Sequence, residues 1–207
     1  MKKKKEMFLN PNKTLHTCKK SSCKKCDVAN KLVCHFNGKQ LFVFFLLNLP
    51  LFISAGYFIS KFNSLFLIPW LIFVFAYFGL IEIRVMCSHC PHYAEPKMKS
   101  LKCWANYGAP KLWKYHPGPM SILEKIIFIS GLLIILLPPV VFSLIKQSFI
   151  SLSIYIAILI AWKIGLRTFY CKNCINFACP FNVVDDKTRN AFFDKNPIIK
   201  SAWKNKK

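Results

Sequence analysis

A chain of 207 residues that is 54% hydrophobic, holds 20 phenylalanines and has only 8 acidic residues does not have the composition of a soluble domain. Its net charge of +22 suits either nucleic-acid phosphates or the anionic inner face of a membrane. The apolar residues decide between them. They are gathered into blocks with the Lys and Arg almost wholly outside, so a bilayer with anionic headgroups is the expected partner and nucleic acid is not.

Residues 1–40 form a basic, cysteine-rich arm. Met1 to Lys5 has the look of the charged start of a signal peptide, but Asn10, Pro11, Asn12 and Lys13 stand where its apolar region would have to follow. No cleaved signal is expected. Leu15-His16-Thr17-Cys18 fails as a lipoprotein cleavage box for the same reason.

Residues 41–83 read as a transmembrane hairpin. Leu41–Ser60 carries no charge over 20 residues, roughly 30 Å as a helix and enough for a bilayer core. Asn48, Pro50 and Gly56 are tolerable inside a packed bundle. After the short turn Lys61-Phe62-Asn63, the chain returns through Ser64–Ile83, whose only charge is Glu82 at the exit.

Residues 84–121 are a polar loop with Cys87, Cys90, Cys103 and three histidines. Residues 122–166 make a second hairpin. Ser121-Ile122-Leu123-Glu124 is a capping-box pattern in front of the span Ile126–Ile145, and Pro138-Pro139 should kink or break that span. Lys146-Gln147-Ser148 is a minimal turn, and Phe149–Leu166 is the fourth span, with Lys163 near enough to its end to reach the interface. Residues 167–207 form a basic tail.

Cationic residues mark sidedness. Arm, loop and tail hold nearly all of them, so both termini and the loop are expected to face the cytoplasm. The expected fold is therefore an all-α integral membrane protein with four transmembrane helices in two hairpins, both termini cytoplasmic, and a small cysteine-rich, metal-stapled cap. Each half goes out, returns and ends in Cys-x-x-Cys, with Cys87 and Cys90 lying 84 positions before Cys171 and Cys174. That is the pattern of a tandem repeat, although any two hairpins of ordinary length give a similar offset.

All ten cysteines fall on the expected cytoplasmic side: Cys18, Cys23, Cys26 and Cys34 in the arm, Cys87, Cys90 and Cys103 in the loop, Cys171, Cys174 and Cys179 in the tail. The cytoplasm is reducing, which disfavours structural disulfides. Metal ligation, an iron–sulfur cluster or redox thiols remain. Two Cys-x-x-Cys pairs supply the four thiolates that tetrahedral zinc prefers, and nearby cations favour thiolate over thiol. A site of Cys87, Cys90, Cys171 and Cys174 would tie the two hairpins together, with Cys103 and Cys179 as replacements or extra members. Cys18, Cys23, Cys26 and Cys34 offer a second site, with His16 or His35 as alternates.

Zinc and iron–sulfur both stay open. Cys171-Lys172-Asn173-Cys174-Ile175-Asn176-Phe177-Ala178-Cys179-Pro180 resembles part of a bacterial ferredoxin run, which also ends in Cys-Pro, but it has no third Cys two residues after Cys174. Covalent haem would need His at position 91, where Pro91 stands. His89 and His92 flank Cys90 as further ligand candidates, although loop histidines are more often solvated.

Between Leu101 and Glu124, aromatic and cationic residues alternate. Lys102, Trp104, Lys111, Trp113 and Lys114 suit an interfacial belt or a pocket for an anionic headgroup or phosphorylated ligand. No ionisable residue lies near the middle of any span, which disfavours an ion pump or proton-coupled carrier. The apolar walls suit an anchor or scaffold, with room for a lipid or quinone groove.

The functional expectation is a multi-pass membrane protein with a cytoplasm-facing, cysteine-ligated centre, zinc or iron–sulfur, serving redox, metal handling or assembly with a membrane or cytoplasmic protein partner. An alternative is a membrane-surface enzyme that transfers acyl or lipid groups. Four spans, both ends inside, and a Cys-rich loop after the second span resemble the protein palmitoyltransferases. Ser88-His89-Cys90-Pro91 is similar to their Asp-His-His-Cys core but lacks the Asp and the first His. That resemblance implies Cys90 as the acyl-carrying nucleophile. A purely structural membrane subunit is the third reading.

Overall fold

The computed structural model describes residues 14–24, 26–96 and 98–205. Met1 to Lys5, the Asn10–Lys13 stretch, Lys25 in the arm and the last two residues of the tail lie outside the described residues.

The described residues form helices and no strands. Three helical stretches are long and apolar enough to cross a membrane: Gly38–Phe62, Ser64–His89 and Phe149–Asn173. A fourth exists if the pair Ile122–Leu136 and Pro138–Ile145, bent by 40°, is counted as one span. Within these, α1 is Gly38–Phe62. Next come α2, Leu67–Ala76, a π-helical turn at Tyr77–Ile81, and α3, Glu82–Val85. Then α4 is Ile122–Leu136, α5 is Pro138–Ile145 and α6 is Phe149–Phe169. Large side chains such as Phe45, Ile53, Phe75, Ile150 and Ile164 point outward from this bundle and are exposed, as lipid-facing residues would be.

The α4–α5 bend follows from the chain's chemistry. Pro138 and Pro139 have no N–H to donate to Ile134 and Ile135, so the helix breaks there. A carbonyl left open in an apolar bundle must find another donor. Trp70 Nε1 donates to the Ile135 carbonyl at 3.0 Å, and the Tyr155 hydroxyl donates to the Leu136 carbonyl at 3.1 Å. Two turns earlier, Tyr77 donates to the Phe128 carbonyl at 2.6 Å. Tyr77 packs flat on Gly131, where any Cβ would overlap its ring. Ser121 and Glu124 form the reciprocal capping box that starts α4.

Both hairpin turns lie at one end of the bundle, where Lys146 Nζ donates to the Lys61 carbonyl at 2.9 Å and Phe62 stacks on Phe142 at 4.2 Å. The arm, the loop and the tail meet at the other end.

That second end has a core of its own. The tail folds into two helices not read from the sequence, α7 (Asp186–Lys195), capped by Asp185, and α8 (Pro197–Lys204). Val28 and Leu32 of the arm, Cys90 of the loop, and Ile175, Phe177, Phe192, Phe193 and Ile199 of the tail are buried together. The arm is tied down by Lys19 N to the Lys195 carbonyl at 2.8 Å, by Val33 N to the Asn173 carbonyl at 2.8 Å, and by Thr17 Oγ1 to Asn196 Oδ1 at 2.7 Å.

Trp70 is the donor that makes the proline break tolerable. Trp70→Phe keeps the ring but strands the Ile135 carbonyl, at a cost of about 1–3 kcal/mol. The expected result is a lower thermal midpoint in detergent, whereas Gly79→Ala, with nothing within 4 Å of the added Cβ, should leave the midpoint unchanged. Equal midpoints for Trp70→Phe and the parent would show that the carbonyl is satisfied some other way.

Candidate functional site

The site begins with two helix ends of the same shape. The span that finishes with α3 terminates at Met86 with φ −119° and ψ −52°; α6 terminates at Tyr170 with φ −121° and ψ −54°. Each is followed by a 3-10 turn, Cys87–His89 in one case and Cys171–Asn173 in the other. Each turn closes on an extended cysteine: Cys90 at φ −76°, ψ 138° and Cys174 at φ −78°, ψ 130°. The turns also share a hydrogen bond, His89 N to the Met86 carbonyl at 3.2 Å and Asn173 N to the Tyr170 carbonyl at 3.1 Å. The 84-residue offset between the pairs therefore corresponds to a local repeat of backbone geometry.

The two turns face one cavity. Cys87, Cys90, Cys103, Cys171, Cys174 and Cys179 all line it, and its volume is about 70 Å³. Val33 and His92 close it from the arm and loop, and Trp104 and Asn176 complete parts of its wall. Asn176 seats one repeat on the other, donating from Nδ2 to the Met86 carbonyl at 3.1 Å.

Four of the six thiols form an inner set, defined by the backbone amides they accept; the coupling itself runs through all six, since Cys87 feels Cys90 and Cys103, and Cys179 feels Cys171. Cys174 lies close enough to Cys90, Cys103 and Cys179 for each to disfavour its ionisation, and Cys90 has the same relation to Cys103 and Cys179. Burial is the larger influence. It pushes Cys90 and Cys174 well above the ordinary thiol range, raises Cys103, and takes Cys179 to about 12. No Lys or Arg offsets this at these four thiols, contrary to the expectation that neighbouring cations would favour thiolate. Backbone amides do so in part. Cys90, Cys103, Cys174 and Cys179 each accept an N–H from the residue two positions on, His92, Ala105, Asn176 and Phe181 respectively. Cys103 and Cys179 accept a further N–H from Asn106 and Asn182. The outer two thiols are held differently. Cys87 accepts from Asn106 Nδ2 at 3.1 Å, and Cys171 is half-buried towards Arg167.

Two histidines beside Cys90 have separate fates. His89 is turned away, with Nδ1 2.8 Å from the Gly118 carbonyl and Nε2 3.4 Å from Glu124 Oε1. His92 is buried, and burial lowers it to about 4, so its ring is neutral. One ring nitrogen donates to the Val33 carbonyl, while Nδ1 is buried without a partner among the described residues.

The four arm cysteines also gather. Cys18, Cys23 and Cys26 each disfavour ionisation of Cys34, which burial first of all pushes up to about 12. Cys23 Sγ lies 3.3 Å from His35 Nε2, whereas His16 is exposed. The two groups adjoin, because Val33 lines the cavity and the next two residues, Cys34 and His35, belong to the arm group. Among the described residues, no three His, Cys, Asp or Glu side chains are arranged to hold a metal ion.

The headgroup candidates do not converge. Lys102 lies over the Tyr107 ring at 4.5 Å, and Lys111 donates to the Glu95 carbonyl at 2.6 Å. Trp104 walls the cavity and packs on Tyr170 at 4.7 Å. Trp113 packs against the bundle core, and Lys114 is exposed. Asn106, Asn176, Asn182 and His92 carry the second layer of the site, and nothing in their spacing alone set them apart from other loop residues.

No family model, no curated protein and no solved structure matches the chain.

If the six thiols share one cavity, mild oxidation of metal-free protein should join Cys87, Cys90 or Cys103 to Cys171, Cys174 or Cys179. Peptide mapping by mass spectrometry reads the pairs. Bridges confined within the loop or within the tail would show that the two turns do not face one another.

Proposed function

We propose that this protein is a membrane-anchored, cytoplasm-facing redox module whose cavity holds an iron–sulfur cluster on Cys90, Cys103, Cys174 and Cys179. The observation that carries the reading is the inner set of four thiols with amide N–H groups aimed at their sulfurs. Hydrogen bonds to sulfur and exclusion of solvent are what a protein uses to set a cluster's potential. Neutral thiols have no need of such a cradle; thiolates on a metal do.

Zinc is the poorer fit. A zinc site draws four sulfurs to about 2.3 Å from one point. Here six thiols stand around a space, and a polynuclear cluster fills a space. Cys87 and Cys171 then lie beside the cluster rather than on it, and His92 Nδ1 is a further ligand or a partner to a cluster sulfur. The arm cysteines with His35 form a second thiolate site, one residue along the chain from the cavity wall. Since buried thiols must lose protons to bind metal, loading either site releases protons and stabilises the cap.

An acyl-transferring enzyme finds less support. The thiol implied as its nucleophile, Cys90, is only 7% exposed, and burial holds it neutral at ordinary pH. Reactive thiols are exposed and acidic. The cytoplasmic placement of the cap rests on the positive-inside rule applied to arm, loop and tail.

Protein purified without oxygen is expected to be brown, with iron and acid-labile sulfide in equal amounts and a paramagnetic signal on reduction. Serine at position 90, 103, 174 or 179 should remove the cavity cluster. Cys87→Ser and Cys171→Ser should retain iron with an altered potential. Colourless protein carrying zinc in place of iron would overturn the redox reading and leave a structural centre.

A further inference from the structure

A second depression lies on the membrane side of the cavity wall. It is a groove of about 280 Å³ between α1 and the end of the second span, with Phe45, Leu49, Phe52 and Phe78 on its sides and Glu82 and Asn106 at its cap end. That is the lower edge of the range for small-molecule sites, roughly 300–1,000 Å³. Phe45 and Leu49 are 61% and 53% exposed on the face of α1 that would meet lipid, so the groove opens sideways into the bilayer. Phe52 and Phe78 meet edge to face at 5.8 Å and leave aromatic surface for a flat ring.

The groove and the cysteine cavity share a wall. Ala105 and Asn106 line both. Asn106 Nδ2 has two hydrogens, and it directs one to Cys87 Sγ at 3.1 Å and the other to Glu82 Oε2 at 3.2 Å. A single side-chain amide thus stands between the thiol on one side and the carboxyl on the other. Glu82 is 8% exposed. Its carboxyl takes no other hydrogen bond among the described residues, and nothing in the structure of the cap requires an acid at that point.

We infer that this groove binds a membrane-soluble quinone, with the ring among Phe45, Phe52 and Phe78 and one ring oxygen at the Glu82 carboxyl. The inference rests on the proposed redox centre for its purpose but not for its geometry. A quinol hydroxyl donates to a carboxylate and a quinone oxygen accepts from a carboxylic acid, so the Glu82 carboxyl matches both forms of the ring. A phospholipid fits poorly. Its phosphate would meet an acid with no Lys or Arg in the lining, and an acyl chain would offer Glu82 nothing to bond beyond Asn106. The isoprenoid tail of a quinone would leave past Phe45 and Leu49 into lipid.

The test uses the full chain in phosphatidylcholine nanodiscs, with a short-tailed naphthoquinone as probe and tryptophan fluorescence as readout. Trp104 lies 5.2 Å from Phe44, and Trp162 Nε1 donates to Asn48 Oδ1 at 2.9 Å, so both stand behind the groove. Saturable quenching is expected, and the Trp104→Phe/Trp162→Phe double variant should lose most of it, leaving the share of Trp70, whose ring lies 6.5 Å from that of Phe52. Glu82→Leu, which removes the hydrogen-bonding group, should weaken binding about fivefold, the worth of one hydrogen bond to a ligand. Lys146→Ala, at the far end of the bundle, should change nothing. A second measurement on the unaltered protein replaces the lipid with its brominated form: quinone should displace bromolipid quenching at these two tryptophans. Quenching that never saturates, or bromolipid that quinone cannot displace, would overturn the inference. Saturable binding in protein without iron would keep the groove and sink the redox centre. Iron-loaded protein that binds no quinone would do the reverse.

Discussion

Asn176 donates to the Met86 carbonyl across 3.1 Å of buried space, and the cap depends on that contact. Met86 is where the second span stops being an α-helix, and its carbonyl already accepts from His89 N within its own turn. A further donor from the tail fixes the end of one hairpin against the end of the other. A buried amide that lost this partner would cost about 1–3 kcal/mol, so the two cysteine turns are held in register by the same contact that closes the space between them. The cavity is a consequence of that docking.

Much of this was legible in the sequence. The apolar blocks pointed to membrane-spanning helices because twenty uncharged residues have few other uses; three such helices are present, with a fourth if the bent pair counts as one span, and those at Gly38–Phe62 and Phe149–Phe169 enclose the expected Leu41–Ser60 and Phe149–Leu166. Ser121 and Glu124 declared a helix start, and Pro138-Pro139 a break, since both signals act over a single turn. The meeting of Cys87 and Cys90 with Cys171 and Cys174 could be argued because two hairpins that return to one side must bring their ends together.

The remainder depends on tertiary contacts that leave no periodic trace. In the tail, Asp185 and Pro197 are helix-start residues, but the basic composition hid the short amphipathic faces that bury Phe192, Phe193 and Ile199. Cys103 and Cys179 seemed substitutes for the paired cysteines. Their membership of the inner set comes from how the chain folds after each pair, with an amide two residues on turned back to the sulfur. Asn106 and Glu82 lie 24 positions apart and meet only because the loop returns over the end of the second span.

Burial imposes the same problem on thiols and on the groove carboxyl, and the chain answers it in two ways. Burial keeps the inner cysteines neutral, which makes them poor nucleophiles. The carboxyl of Glu82 is met by the side-chain amide of Asn106 at 3.2 Å, at the cap end of the groove that opens beside α1. Asn106 links the two, one hydrogen to each. Any change of charge at Cys87 must therefore be felt at Glu82 through one amide, and a ligand hydrogen-bonded to that carboxyl would feel the state of the centre. In a protein with no ionisable group near the middle of a span, Asn106 is the residue at which the groove and the cysteine cavity meet.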